Sequence, residues 1–200
     1  MKSNKFNLII ILILIFFIYY YYSQTHHFPV TYVKSDIDDK FYLVRDLPDK
    51  QEAANMLGKI NKNIFDLTNY LVKNKNNAEF KSYVKYINQL EERIKNVVIQ
   101  ESADNGLYTS YSINKGETIV FCIRSRSNIS NKLHELNLVM YVALHELAHV
   151  ACPEFGHTDL FKKIFAFIAT EAVKIKIYTK IEFEKNNMEY CGLTITDSII

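Results

Sequence analysis

The sequence predicts an α+β domain behind one N-terminal transmembrane helix. Three observations predict it: an unbroken apolar run from Leu8 to Tyr22, apolar residues at three- and four-residue steps through much of the remaining chain, and two β-branched and aromatic segments flanking a glycine-bearing loop. Size agrees, since 200 residues at 48% hydrophobic content suffice for one compact unit with its own core and are too few for two large ones. With 24 basic against 22 acidic residues the formal charge is only +2, and the lysines are scattered, so no nucleic-acid partner is expected.

The N-terminal run carries Lys2 and Lys5 before it and the polar stretch Ser23–His27 after it. As a helix it would cover about 22 Å of a roughly 30 Å hydrocarbon layer, with Phe6 and the ring belt Tyr19–Tyr22 at the interfaces. Residues 1–22 are therefore expected to be a membrane anchor, with a cleaved signal peptide as the alternative. The charge bias places the N-terminus in the cytosol and the rest on the extracytosolic or lumenal side, as a single-pass protein of a cell or virion membrane. Residues 23–40, with Pro29, three aspartates and the adjacent His26 and His27, have no sustained period and are expected to be a tether.

The domain proper is expected over 41–200. Phe41–Val44 is a strand candidate. After Pro48 a helix is expected with Ala53, Met56, Leu57, Ile60, Ile64, Leu67 and Leu71 inward, and a second from Ala78 to Ile99, forming an N-terminal helical pair. Tyr108–Ile113 and Thr118–Ile123, joined by Asn114-Lys115-Gly116-Glu117, predict a β-hairpin. Arg124 and Arg126 leave its second strand and are expected to be solvated or ion-paired. Cys122, Cys152 and Cys191 are too few and too dispersed for a disulfide framework, and Cys122 and Cys191 are expected to fill core positions unpaired. Asn128-Ile129-Ser130 is a glycosylation-type triplet of little weight.

The chemistry lies in "HELAHVACPEFGH", residues 145–157, which holds three of the six histidines. Asn137–Ala151 predicts a helix apolar almost all round apart from His145, Glu146 and His149, hence a buried one. Four residues advance a helix by about 400° and about 6 Å, so both imidazoles share one face and can reach one ion. Glu146 stands beside them, where a base can take a proton from a water activated by that ion. A catalytic zinc takes three protein ligands. Pro153 stops the helix, Gly156 lets the chain double back, and His157 comes next as the third, with Thr158 and Asp159 opening another helix. Cys152 would ligate only if the first helix ran on. His134, eleven residues before His145, would lie about 16 Å away along a helix axis. The competing arrangement is a pair of core histidines bonded to carbonyls, which costs several kcal/mol wherever a partner is missing.

"LHELAH", the short reversal to a third histidine, and "TDLFKKIF" with Phe161 four positions on resemble the WLM and SprT-like zinc metallopeptidases. The hairpin "YSINKGETIVFCIRSR" is similar to the segment that WLM domains place before the motif helix, so the likeness covers about Tyr108 to Tyr178. The arrangement is also similar to metallopeptidase-like proteins of large DNA viruses. The resemblance implies a compact zincin-like domain, with an active-site helix, a backing helix and a small sheet whose edge strand holds an extended peptide. It implies Zn2+ on His145, His149 and His157, with Glu146 as general base.

The expected function is a membrane-tethered zinc endopeptidase acting on a peptide or protein substrate. A catalytically silent, zinc-stabilised membrane or virion protein is the alternative, and a deformylase-like hydrolase with Cys122 as third ligand is a further one. Tyr111, Tyr178 and Tyr190 are candidate oxyanion donors.

Overall fold

The computed structural model describes residues 10–20, 29–103, 109–126 and 131–200. His26, His27 and the 128–130 triplet lie outside the described residues. Residues 10–20 are helical (α1), and all of them are exposed. Among the described residues no helix is long and apolar enough to cross a membrane. The expected transmembrane helix, and the single-pass location drawn from it, are corrected on that ground.

The rest of the chain mixes helices and strands, consistent with the α+β expectation. Strands β1 (Val30–Lys34) and β2 (Phe41–Arg45) pair antiparallel, with Tyr32 opposite Leu43. Helix α2 (Lys50–Asn74), a 3-10 turn (Ala78–Tyr83) and helix α3 (Val84–Ile94) then carry the chain to β3 (Val98–Glu101), parallel to β2. Strand β4 (Tyr111–Ile113) and β5 (Thr118–Phe121) form the predicted hairpin, and β5 lies parallel to β3. The sheet order is therefore β1-β2-β3-β5-β4, with β4 outermost. Helices α4 (Leu136–Ala151) and α5 (Asp159–Lys174) come next, then a separate hairpin of β6 (Met188–Tyr190) and β7 (Leu193–Ile195).

Two sequence expectations give way to pairing. The expected tether contains β1, whose five residues find a partner in β2 across the loop of residues 35–40. The second helix ends at Ile94, because Val97, Val98 and Ile99 are β-branched and β3 is wanted in the middle of the sheet, between β2 and β5. The first helix matches its pattern: Ala53, Leu57, Ile60, Ile64, Leu67 and Leu71 are completely buried. Helix α4 packs against α2, α3, α5 and the β4–β5 hairpin, which is why almost every residue on it is apolar.

Arg124 is not solvated. Buried beside β3, it donates to Glu101 (2.7 Å) and Asp49 (2.5 Å) and to the Asn131 carbonyl (3.0 Å), while Glu101 also accepts the Arg45 main-chain N–H (2.7 Å). Cys122 and Cys191 are buried as expected but are not separate: a disulfide joins them across 69 positions. Cys122 is thereby removed as a metal ligand, and the deformylase-like reading with it. Cys152 is buried and free.

Candidate metal centre

The end of α4 is built by borrowed donors. Cys152 leaves the helix with extended backbone and Pro153 succeeds it, so the last carbonyls have no helical partners. Gln89 donates to the Val150 and Ala151 carbonyls (3.3 and 3.0 Å), Arg93 to Val150 (2.7 Å), and Lys115 to Cys152 and Glu154 (2.7 and 2.8 Å). The β4–β5 turn reaches this helix end because residue 116 is glycine. Its φ is +115°, and a Cβ there would come within 2.9 Å of Val150 Cγ1. Gly156, at φ +78°, turns the chain back. His157 comes next, and Thr158 caps α5 by accepting the Phe161 N–H at 3.2 Å.

This path brings His157 to the other two. The Nε2 atoms of His145 and His149 are 3.1 Å apart, those of His149 and His157 3.2 Å, and those of His157 and His145 3.0 Å. Each Nε2 is either donor or acceptor, so three of them in a ring cannot all bond to one another. One ion about 2.0–2.1 Å from each nitrogen would set tetrahedral ligands about 3.3 Å apart, close to what is observed. The three histidines are the one group among the described residues that can gather on a metal. Burial, then the neighbouring imidazoles, holds His145 down to about 3. Burial, then His157 and Lys115, holds His149 down to about 4, so both rings are neutral ligands at pH 7. Phe161 stacks on His149 (4.2 Å between centroids) and packs against His145 and His157.

Glu146 is buried, and burial pushes its carboxyl up to about 7 against the opposing influence of the Ser112 hydroxyl and main-chain N–H. The histidines, Glu146, Ser110, Ser112, Tyr141, Val142, Tyr190, Leu193 and Ile195 line one cavity of about 730 Å³.

Of the tyrosine candidates, Tyr111 and Tyr190 line this cavity and Tyr178 does not; the Tyr178 hydroxyl accepts the Ile181 N–H at 3.1 Å. The Tyr190 hydroxyl is 2.7 Å from Ser110 Oγ. His134 lies before α4 rather than on it, 3.4 Å from Cys191 Sγ and 5.2 Å from the Tyr190 ring, and takes no part in the histidine cluster. Cys152 likewise stays out of it.

Sequence reasoning missed Ser112, the three donors at the helix end and the β6–β7 hairpin. The one signal for the hairpin is the paired positive φ that a Cys-Gly turn between short apolar segments allows; Cys191 and Gly192 sit at φ +52° and +86°.

No family model matches the sequence. The chain is 49% identical over 170 residues to "Uncharacterized protein R325" of Acanthamoeba polyphaga mimivirus, covering 85% of this chain and 84% of that one. Shorter matches, 36% over 83 residues and 39% over 85, are to "Uncharacterized protein 136R" of Invertebrate iridescent virus 6 and "Uncharacterized protein 042R" of Invertebrate iridescent virus 3. They cover 41% and 42% of this chain and 44% and 50% of theirs. Among solved structures, the crystal structure of Wss1 from Saccharomyces cerevisiae is similar at 16% identity and a TM-score of 0.43, covering 65% of this chain and 84% of that chain.

Proposed function

The chain belongs to the family of the mimivirus protein R325, and we propose that it is a zinc-dependent endopeptidase with His145, His149 and His157 as ligands and Glu146 as general base. The observation that carries this is the convergence of three Nε2 atoms at 3.0–3.2 Å beside a buried carboxylate. The likeness of the motif region to WLM and SprT-like metallopeptidases supports the same reading.

Zinc in that position supplies Lewis acidity to a water and to the scissile carbonyl. Everything else is the chain's own work. Burial keeps the His145 and His149 imidazoles neutral. Glu146, at about 7, is in the range where a carboxyl both takes up and releases a proton near neutrality, so it can carry one from water to the leaving amine. The cavity, several times the size of one water, admits a stretch of polypeptide beside these groups.

A purely structural zinc site closes its fourth position with another protein ligand. Among the described residues three ligands gather and no fourth joins them, which favours catalysis over a silent zinc-stabilised protein. The test is metal content and peptide hydrolysis of the purified chain, side by side with Glu146→Gln. The expected result is about one zinc per chain in both, with the variant slower by roughly 10²–10⁴. Undiminished turnover in the variant, or a wild type that binds no zinc, overturns the proposal.

A further inference from the structure

The C-terminal hairpin does more than end the fold. Its turn, Cys191-Gly192, is bonded through the disulfide to Cys122, just beyond β5. One residue before the turn, the buried Tyr190 places its hydroxyl 2.7 Å from Ser110, whose oxygen also accepts the Cys122 N–H at 3.0 Å. Glu189 accepts from the Gly192 N–H (2.7 Å) and the Ser125 hydroxyl (3.1 Å). Beyond the hairpin, the Tyr141 hydroxyl of α4 donates to the Asp197 carbonyl at 3.2 Å. A two-stranded hairpin is marginal alone; here it is fastened on several sides.

What it presents to the cavity is apolar. Leu193 is 58% exposed, an unusual state for a leucine on a fastened element, and it lines the cavity with Ile195 and with Val142 and Tyr141 of α4. The two charged groups at the cavity mouth are already engaged. Lys115 donates to two carbonyls and lies 4.3 Å from the Phe155 ring, and the Glu154 carboxylate accepts the Thr158 hydroxyl. The two are opposite in sign and each is held by these contacts, while Phe155, 85% exposed, adds a further apolar face.

We infer that the β6–β7 hairpin, bolted by the Cys122–Cys191 disulfide, is the substrate-selecting wall of the cleft, and that it takes polypeptides with a bulky apolar side chain next to the scissile bond. The inference rests on the endopeptidase reading. It names Leu193 and Ile195 as specificity determinants and the disulfide as the feature that positions them.

The test uses the full, zinc-loaded chain and a set of quenched fluorogenic peptides that differ only beside the cleaved bond. Leu and Phe peptides are expected to exceed Ser and Asp peptides by at least about tenfold in kcat/KM, the range a well-filled apolar pocket gives. Leu193→Asp, and separately the Cys122→Ser/Cys191→Ser double variant, are expected to erase that preference with zinc content unchanged. Anisotropy with the Glu146→Gln chain, zinc-loaded, reads binding of the Leu peptide without turnover, and Leu193→Asp in that background is expected to weaken it.

Cleavage by the wild type without apolar preference, or a preference that survives Leu193→Asp, overturns this inference and leaves the peptidase reading standing. Absence of cleavage together with Leu193-dependent binding overturns the peptidase reading and keeps the apolar wall. Absence of both overturns the two together. Should the double cysteine variant fail to fold, Leu193→Asp alone decides.

Discussion

Two clusters of ionisable side chains in this molecule, around Arg124 and around His145, are held differently. Around Arg124 every charge has a partner of opposite sign: Glu101 and Asp49 receive the guanidinium, and Glu101 takes a main-chain N–H as well. Around His145 the facing groups are of one kind, three nitrogens of two half-buried rings and one exposed ring turned on one another with no acid bonded between them. The first cluster is internally charge-paired and ties the segment after β5 to β3 and to the start of α2. The second is an arrangement that could hold a metal ion, and the difference is the one expected between a structural ion pair and a binding site.

The contrast between the clusters is broken most strongly at His157. His157→Ala is expected to cost more zinc affinity than the roughly 10–100-fold lost when only a group bonded to a ligand is changed, with little change in the stability of the metal-free chain, because this ring is exposed. A competitive chelator titration together with a thermal melt measures both. Arg124→Met should do the reverse, since removing one partner strands the buried Glu101 carboxylate. About 3–5 kcal/mol of stability is expected to go, read by urea denaturation, while zinc affinity stays.

Acid distinguishes the clusters next. In the metal-free chain His145 and His149 are held near 3 and 4 in the fold, against an ordinary value of 6.5. Between these values the unfolded chain binds the additional protons, so stability rises with pH. The contribution is whole above about 6.5 and drains away towards pH 4. Thermal midpoints across that window, compared with those of His145→Asn/His149→Asn, are expected to show a steeper acid loss in the wild type. The smallest effect is at Thr158, whose cap should be worth about 1 kcal/mol; Thr158→Ala is expected to lower the midpoint slightly and to loosen zinc through the adjacent His157.

The sequence made the histidine cluster legible because its logic is local: a helical repeat places two ligands, and a proline and a glycine within a few residues return the third. Helices α2, α4 and α5 and the β4–β5 hairpin were legible for the same reason. What escaped depends on partners far along the chain. Strand β1 is five residues that acquire meaning only opposite β2, and β3 is absorbed into a helical period until the demand of β2 and β5 for a strand between them is known. The disulfide pairs positions 69 apart, and no spacing rule selects Cys191 over Cys152. Ser112 and Lys115 look like ordinary hairpin residues; only the fold brings one to Glu146 and the other to the carbonyls that end α4.

Strand β4 is three residues long. A guest lying along so brief a rim gains little grip from backbone ladders. On the proposed reading, retention in the groove would then come from side-chain fit, leaving the chain tolerant of its guest's sequence in general and exacting at one or two positions.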